Sequence, residues 1–88
     1  MHYVYIIYSP SHDLYYKGYT TDFKQRLAAH NNKESRYTAE KGHWELKYLE
    51  AFDLKSDALK REKMLKRQNR SYLTWLFLQP SNILDSVG

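Results

Sequence analysis

The chain has 88 residues, with 14 Lys and Arg against 10 Asp and Glu for a formal charge of +4, and it contains no cysteine. That length allows one domain with a radius of gyration of about 12 Å and excludes separate substrate and cofactor domains; the missing cysteines exclude disulfides, thiolate zinc sites and cysteine nucleophiles. Aromatic residues at 16%, nine of them Tyr, argue against disorder, and no apolar stretch approaches the ~20 residues of a membrane span.

Met1-His2-Tyr3-Val4-Tyr5-Ile6-Ile7-Tyr8 lacks the basic region and small-residue cleavage site of a secretory leader. With the absence of cysteine this leads us to expect a cytoplasmic location and no membrane partner. The β-branched and aromatic run from Tyr3 to Tyr8 predicts a strand covered at least partly on both faces. Ser9-Pro10-Ser11-His12-Asp13 is a turn, and Leu14 to Tyr19 resumes as a strand, making a β-hairpin. Thr20-Thr21-Asp22 starts a helix that carries Phe23, Leu27 and His30 at helical spacing and ends at Asn31-Asn32-Lys33. A polar loop follows to Gly42, then a third strand within Trp44 to Phe52. Ser56 or Asp57 caps a second helix to about Arg67, and Ser71 caps a last short one through Leu78, with Trp44 and Trp75 in the core. The domain is expected to span 1–80, with 81–88 as a loose C-terminal tail. The order β-β-α-β-α-α predicts an α+β fold, a small antiparallel three-stranded sheet flanked by helices.

Charge is concentrated. Lys55, Lys60, Arg61, Lys63, Lys66, Arg67 and Arg70 stand against Asp57 and Glu62, so that segment is +5 and the remainder −1. Such a stripe is either a surface for a polyanion or a solvated helix face. Lys60, Lys63, Arg67 and Arg70 share the outer side of the second helix, whereas Ala58, Glu62, Leu65 and Asn69 cluster toward the core. On the first helix Arg26 and His30 border the apolar stripe one turn apart, and a partly buried guanidinium needs an anion. Two readings of Glu62 follow: an intramolecular ion pair, with Arg26 as a candidate partner, or a carboxylate at a cleft edge that binds a hard cation such as Mg²⁺.

Tyr3-Val4-Tyr5 on the first strand and Tyr16-Lys17-Gly18 on the second resemble the paired tripeptides of the GIY-YIG nucleases. Arg26 and His30 have the Arg-x-x-x-His spacing of that family's first helix, and Glu62 is similar to its metal-binding glutamate. The likeness covers residues 2–78 and is nearest to short stand-alone bacterial members related to the incision domain of nucleotide-excision repair. It departs where Tyr3 and Val4 replace Gly and Ile, and where Lys17 replaces an apolar residue.

The resemblance implies an Mg²⁺- or Mn²⁺-dependent endonuclease acting on structured or damaged DNA, without a small-molecule cofactor. Glu62 would hold the single metal and Tyr5 would be the general base. Tyr16 and Arg26 would orient and neutralise the phosphate, and His30 would assist proton transfer or phosphate contact. Lys17, Lys60, Lys63, Lys66, Arg67 and Arg70 are the candidate nucleic-acid-binding residues, and a larger protein is a candidate targeting partner. Tyr37-Thr38 falls near the site. The alternatives are a non-catalytic nucleic-acid-binding module of the same fold, or a protein-interaction domain.

Overall fold

The computed structural model describes residues 1–87, and Gly88, the last residue of the expected tail, lies outside the described residues. Strands β1 (His2–Ser9), β2 (Leu14–Thr20) and β3 (Glu45–Phe52) form one antiparallel sheet in the order β2-β1-β3. The helices are α1 (Phe23–Asn31), α2 (Lys55–Leu65), α3 (Arg70–Leu76) and a single turn, α4 (Leu84–Val87). The result is the α+β fold that the sequence predicts, with a Cα radius of gyration of 12.3 Å.

β1 is continuously apolar because it is the central strand and both its faces are covered. Val4 and Ile6 face one layer, with Tyr48, Ala58, Leu65, Leu73 and Leu76. Tyr5 and Ile7 face the opposite layer, with Trp44 and Leu49 and with Phe23 and Leu27 of α1. The pleat therefore sends alternate residues to α2 and α3 on one side and to α1 on the other. No helix among the described residues is long and apolar enough to cross a membrane.

Asp22 caps α1 as expected, its carboxylate accepting from the Gln25 N–H at 3.1 Å. The other caps differ from expectation. Leu54 precedes α2 without a side-chain cap, so neither Ser56 nor Asp57 starts that helix, which ends at Leu65. Asn69 rather than Ser71 caps α3, its Oδ1 accepting from the Tyr72 N–H at 2.9 Å. Trp44 is buried as expected, but Trp75 is 53% exposed, and no element among the described residues covers it.

The expected loose tail is also corrected. β3 is an edge strand, which leaves backbone groups without a strand partner, and the segment after α3 satisfies them. The Asn82 side chain accepts from the Leu49 N–H and donates to the Lys47 and Phe77 carbonyls at 3.0–3.1 Å. The Ile83 N–H donates to the Leu49 carbonyl at 2.8 Å, and Ile83 and Val87 pack on the α1-side core.

Candidate active site at the β2 edge

Tyr5 starts on the central strand, opposite Gly18 of β2. Its ring passes over that glycine: a Cβ there would meet Tyr5 Cζ and the phenolic oxygen at 2.4 Å. Gly18 is therefore present for space, since it is not among the residues with positive φ. The bare backbone lets a buried tyrosine, 3% exposed, extend from the core toward the free edge of β2.

At that edge the Tyr5 hydroxyl lies 2.9 Å from His30 Nε2, and His30 Nδ1 lies 2.8 Å from Thr38 Oγ1. His30 and Thr38 are both buried. Thr38 donates to the Ser35 carbonyl at 3.4 Å, and the Trp44 indole N–H donates to the Thr38 carbonyl at 3.0 Å. Asn31 pins Trp44 through both backbone groups, and Ser9 bonds the Lys41 carbonyl. The stretch expected to be a plain polar loop is thus tied down along its length. The sequence placed Tyr37-Thr38 near the site but showed no bond, because Thr38 lies eight residues from His30 in a segment without periodicity.

Tyr16 completes the aromatic floor, its ring centroid 5.1 Å from His30 edge-on, 6.5 Å from Tyr5 and 5.7 Å from Tyr37 in a stacked arrangement. Tyr37 is half exposed, with Lys41 Nζ 4.1 Å from its ring centroid.

Arg26 is exposed rather than partly buried. It lines a depression of about 400 Å³ with Gln25, Ala29, Glu34 and Ser35. The ion pair of Arg26 with Glu62, one of the two readings of that carboxylate, is not formed among the described residues. Glu62 instead meets Lys66 at 3.5 Å, one turn along α2, with 18% of its side chain exposed. The preceding residue, Arg61, bonds Glu50 of β3 at 2.9 Å. Burial pushes the Tyr5 pKa up, with Tyr16 and Glu62 adding to it and Arg26 opposing it. Burial and then Arg26 lower the pKa of His30, which favours its neutral form.

Among the described residues no group of three or more His, Asp or Glu forms a metal cage. The donor set at Glu62 is one carboxylate with an exposed lysine as its partner. That fits a hard divalent cation completed by water and substrate phosphate, which needs only one or two carboxylates.

The candidate nucleic-acid residues separate. Lys60, Lys63 and Arg67, with Met64, line one depression of about 300 Å³ on the outer face of α2. Lys17 alternates with Tyr16 and Gly18 and so faces the α2 layer, half-buried, where burial lowers its pKa. Arg70 does not continue the stripe: it lies on α3 and donates to Asp13 Oδ1 and the Asp13 carbonyl, both at 2.7 Å, closing the hairpin turn.

The profile of the GIY-YIG catalytic domain matches residues 1–74. A UPF0213 protein of Halobacterium salinarum is 41% identical over 88% of this chain and all of its own length. One from Staphylococcus saprophyticus is 41% identical over 78% of this chain and 84% of its own. The solution NMR structure of a Bacillus halodurans UPF0213 protein is similar with a TM-score of 0.57, at 32% identity over 91% of this chain and 85% of that one. A tyrosine threaded over the glycine of the second tripeptide, met by the histidine of the first helix, is how the two signature segments come together here, and the chain belongs to the GIY-YIG nuclease family.

Proposed function

We propose that the protein is a divalent-metal-dependent endonuclease that hydrolyses phosphodiester bonds in DNA, on structured or damaged rather than plain duplex substrates. The observation that carries this is one buried phenol held at the free edge of β2: the Tyr5 ring crosses Gly18 of the second tripeptide and its hydroxyl lies 2.9 Å from His30 Nε2.

Tyr5 is the general base. Its oxygen takes a proton from the attacking water while its own proton passes to His30 Nε2, so no free phenolate has to persist in a site that disfavours one. Water oxygen bonds to phosphorus, the bond to the leaving oxygen breaks, and that oxygen takes a proton from solvent. Arg26, exposed and without a carboxylate partner among the described residues, pairs with the scissile phosphate through its planar fork, and Tyr16 positions the same group. Glu62 would hold Mg²⁺ or Mn²⁺, which supplies positive charge to the phosphate as it becomes pentacoordinate. A domain of this size offers roughly 600–1,000 Å² of DNA contact, so site selection falls to a larger targeting protein.

The test is cleavage of flap, fork, nicked and plain duplex DNA with and without Mg²⁺ or Mn²⁺, with Tyr5→Phe and Glu62→Gln as controls. Metal-dependent cutting, lost in Tyr5→Phe and reduced by at least ~10²-fold in Glu62→Gln while binding persists, is expected. Binding of DNA without cleavage by the wild type would instead identify a non-catalytic module.

A further inference from the structure

The geometry points to Thr38 as the positioning residue that sets the tautomer of His30, so that Nε2 presents a lone pair to the Tyr5 hydroxyl. This role rests on the proposed function, in which His30 receives the proton of Tyr5.

Counting donors and acceptors leaves two directions for the bonds along this chain, and a third partner chooses between them. His30 is buried and each ring nitrogen has one partner, Tyr5 Oη on Nε2 and Thr38 Oγ1 on Nδ1. A neutral imidazole has one N–H, so the bonds can run in either of two directions along this chain. The Ser35 carbonyl breaks the tie. It can only accept, and it lies 3.4 Å from Thr38 Oγ1, so the threonine proton is drawn toward it. Thr38 Oγ1 then accepts from Nδ1–H, and Nε2 accepts from the Tyr5 O–H. Reversed, the Tyr5 oxygen would accept from Nε2–H, and its proton would have no route to the histidine.

Thr38 is fixed for this task from behind. The Trp44 indole N–H holds its carbonyl at 3.0 Å, and Asn31 in turn holds Trp44. Thr38 is fully buried, so no bulk water replaces its hydroxyl. It touches His30 and not the reacting atoms.

The decisive measurement is the ¹⁵N NMR spectrum of histidine-labelled protein, read together with DNA cleavage for wild type, Thr38→Val and Thr38→Ser. Wild type should show Nδ1–H on His30 at neutral pH. Thr38→Val keeps the shape but lacks the acceptor, so the proton should move to Nε2, and cleavage should fall by about 10- to 100-fold. Thr38→Ser should restore both. Nε2–H in the wild type, or a folded Thr38→Val variant that keeps Nδ1–H, overturns the assignment. If Thr38→Val does not fold, the wild-type and Thr38→Ser spectra decide it, because both must show Nδ1–H. A wild type that cuts no DNA yet holds Nδ1–H and loses it in Thr38→Val refutes the nuclease reading and leaves the tautomer role standing.

Discussion

Gly18→Ala adds one methyl group at the point where the Tyr5 ring crosses β2. The new carbon would lie 2.4 Å from Tyr5 Cζ and Oη and 2.8 Å from Cε1. Carbon contacts settle near 3.5–4.0 Å, so the ring must retreat by roughly 1.1–1.6 Å. It has no room to do so: Tyr5 is 3% exposed and lies against Tyr16 and His30. A shift of that size takes the 2.9 Å Tyr5–His30 bond outside hydrogen-bond geometry. Overpacking of this kind costs about 1–3 kcal/mol and the lost bond about 1 kcal/mol more. Taking about 2 kcal/mol, Tm should fall by roughly 8–16 °C. The backbone adds nothing, since Gly18 is not at positive φ. Cleavage should fall much further, by about 10²-fold at temperatures where the variant is folded, as for a base displaced by an ångström. Thermal melts and single-turnover cleavage on the same preparation separate the two effects. Removing the Tyr5 hydroxyl deletes one clashing atom, so Gly18→Ala/Tyr5→Phe should cost less stability than the sum of the single variants. Wild-type Tm and cleavage in Gly18→Ala would refute the account of how the tyrosine reaches the edge.

Asn82→Ala removes side-chain bonds to Leu49, Lys47 and Phe77 at the β3 edge; a loss of about 2–4 kcal/mol in urea unfolding is expected, where a loose tail would give none. Replacing Lys63 and Arg67 by Gln should flatten the salt dependence of DNA binding by roughly 2 on a log–log plot, and an unchanged slope would identify that depression as a solvated face. His30 has its folded pKa lowered by burial and then by Arg26 from an ordinary 6.5. The unfolded chain therefore takes up the proton first, and stability is lost as pH falls below 6.5 toward the folded value. His30→Gln should show a shallower decline of Tm in that window, and an equal decline would place the acid sensitivity elsewhere.

Local features are legible in the chain itself. The unbroken β-branched and aromatic run of β1 marks a strand covered on both faces, as the sheet order β2-β1-β3 requires. Asp22 before Phe23, Leu27 and His30 marks the start of α1 and the face it buries, because capping and helical period are set by neighbours in sequence. Tyr5, Tyr16, Arg26, His30 and Glu62 are likewise legible as candidates, from the likeness of their segments to the family.

What decides the rest is partner choice over long distances. Arg70 bonds Asp13, 57 residues away, and so leaves the basic stripe that helical spacing alone assigned it to. Glu62 pairs with Lys66, one turn along its own helix, and not with Arg26, a choice that depends on how α1 and α2 are placed by the fold. The tail is held because β3 lies at a sheet edge with open backbone groups, and strand order is a property of the assembled sheet. Trp75 marks an apolar residue on a helix, but whether another element covers it depends on what packs there, and none among the described residues does. Thr38 reaches His30 only because Trp44, Asn31 and Ser9 hold the loop in place. Local periodicity specifies which face of an element is apolar, whereas the pairing of polar groups depends on which elements the tertiary fold brings together.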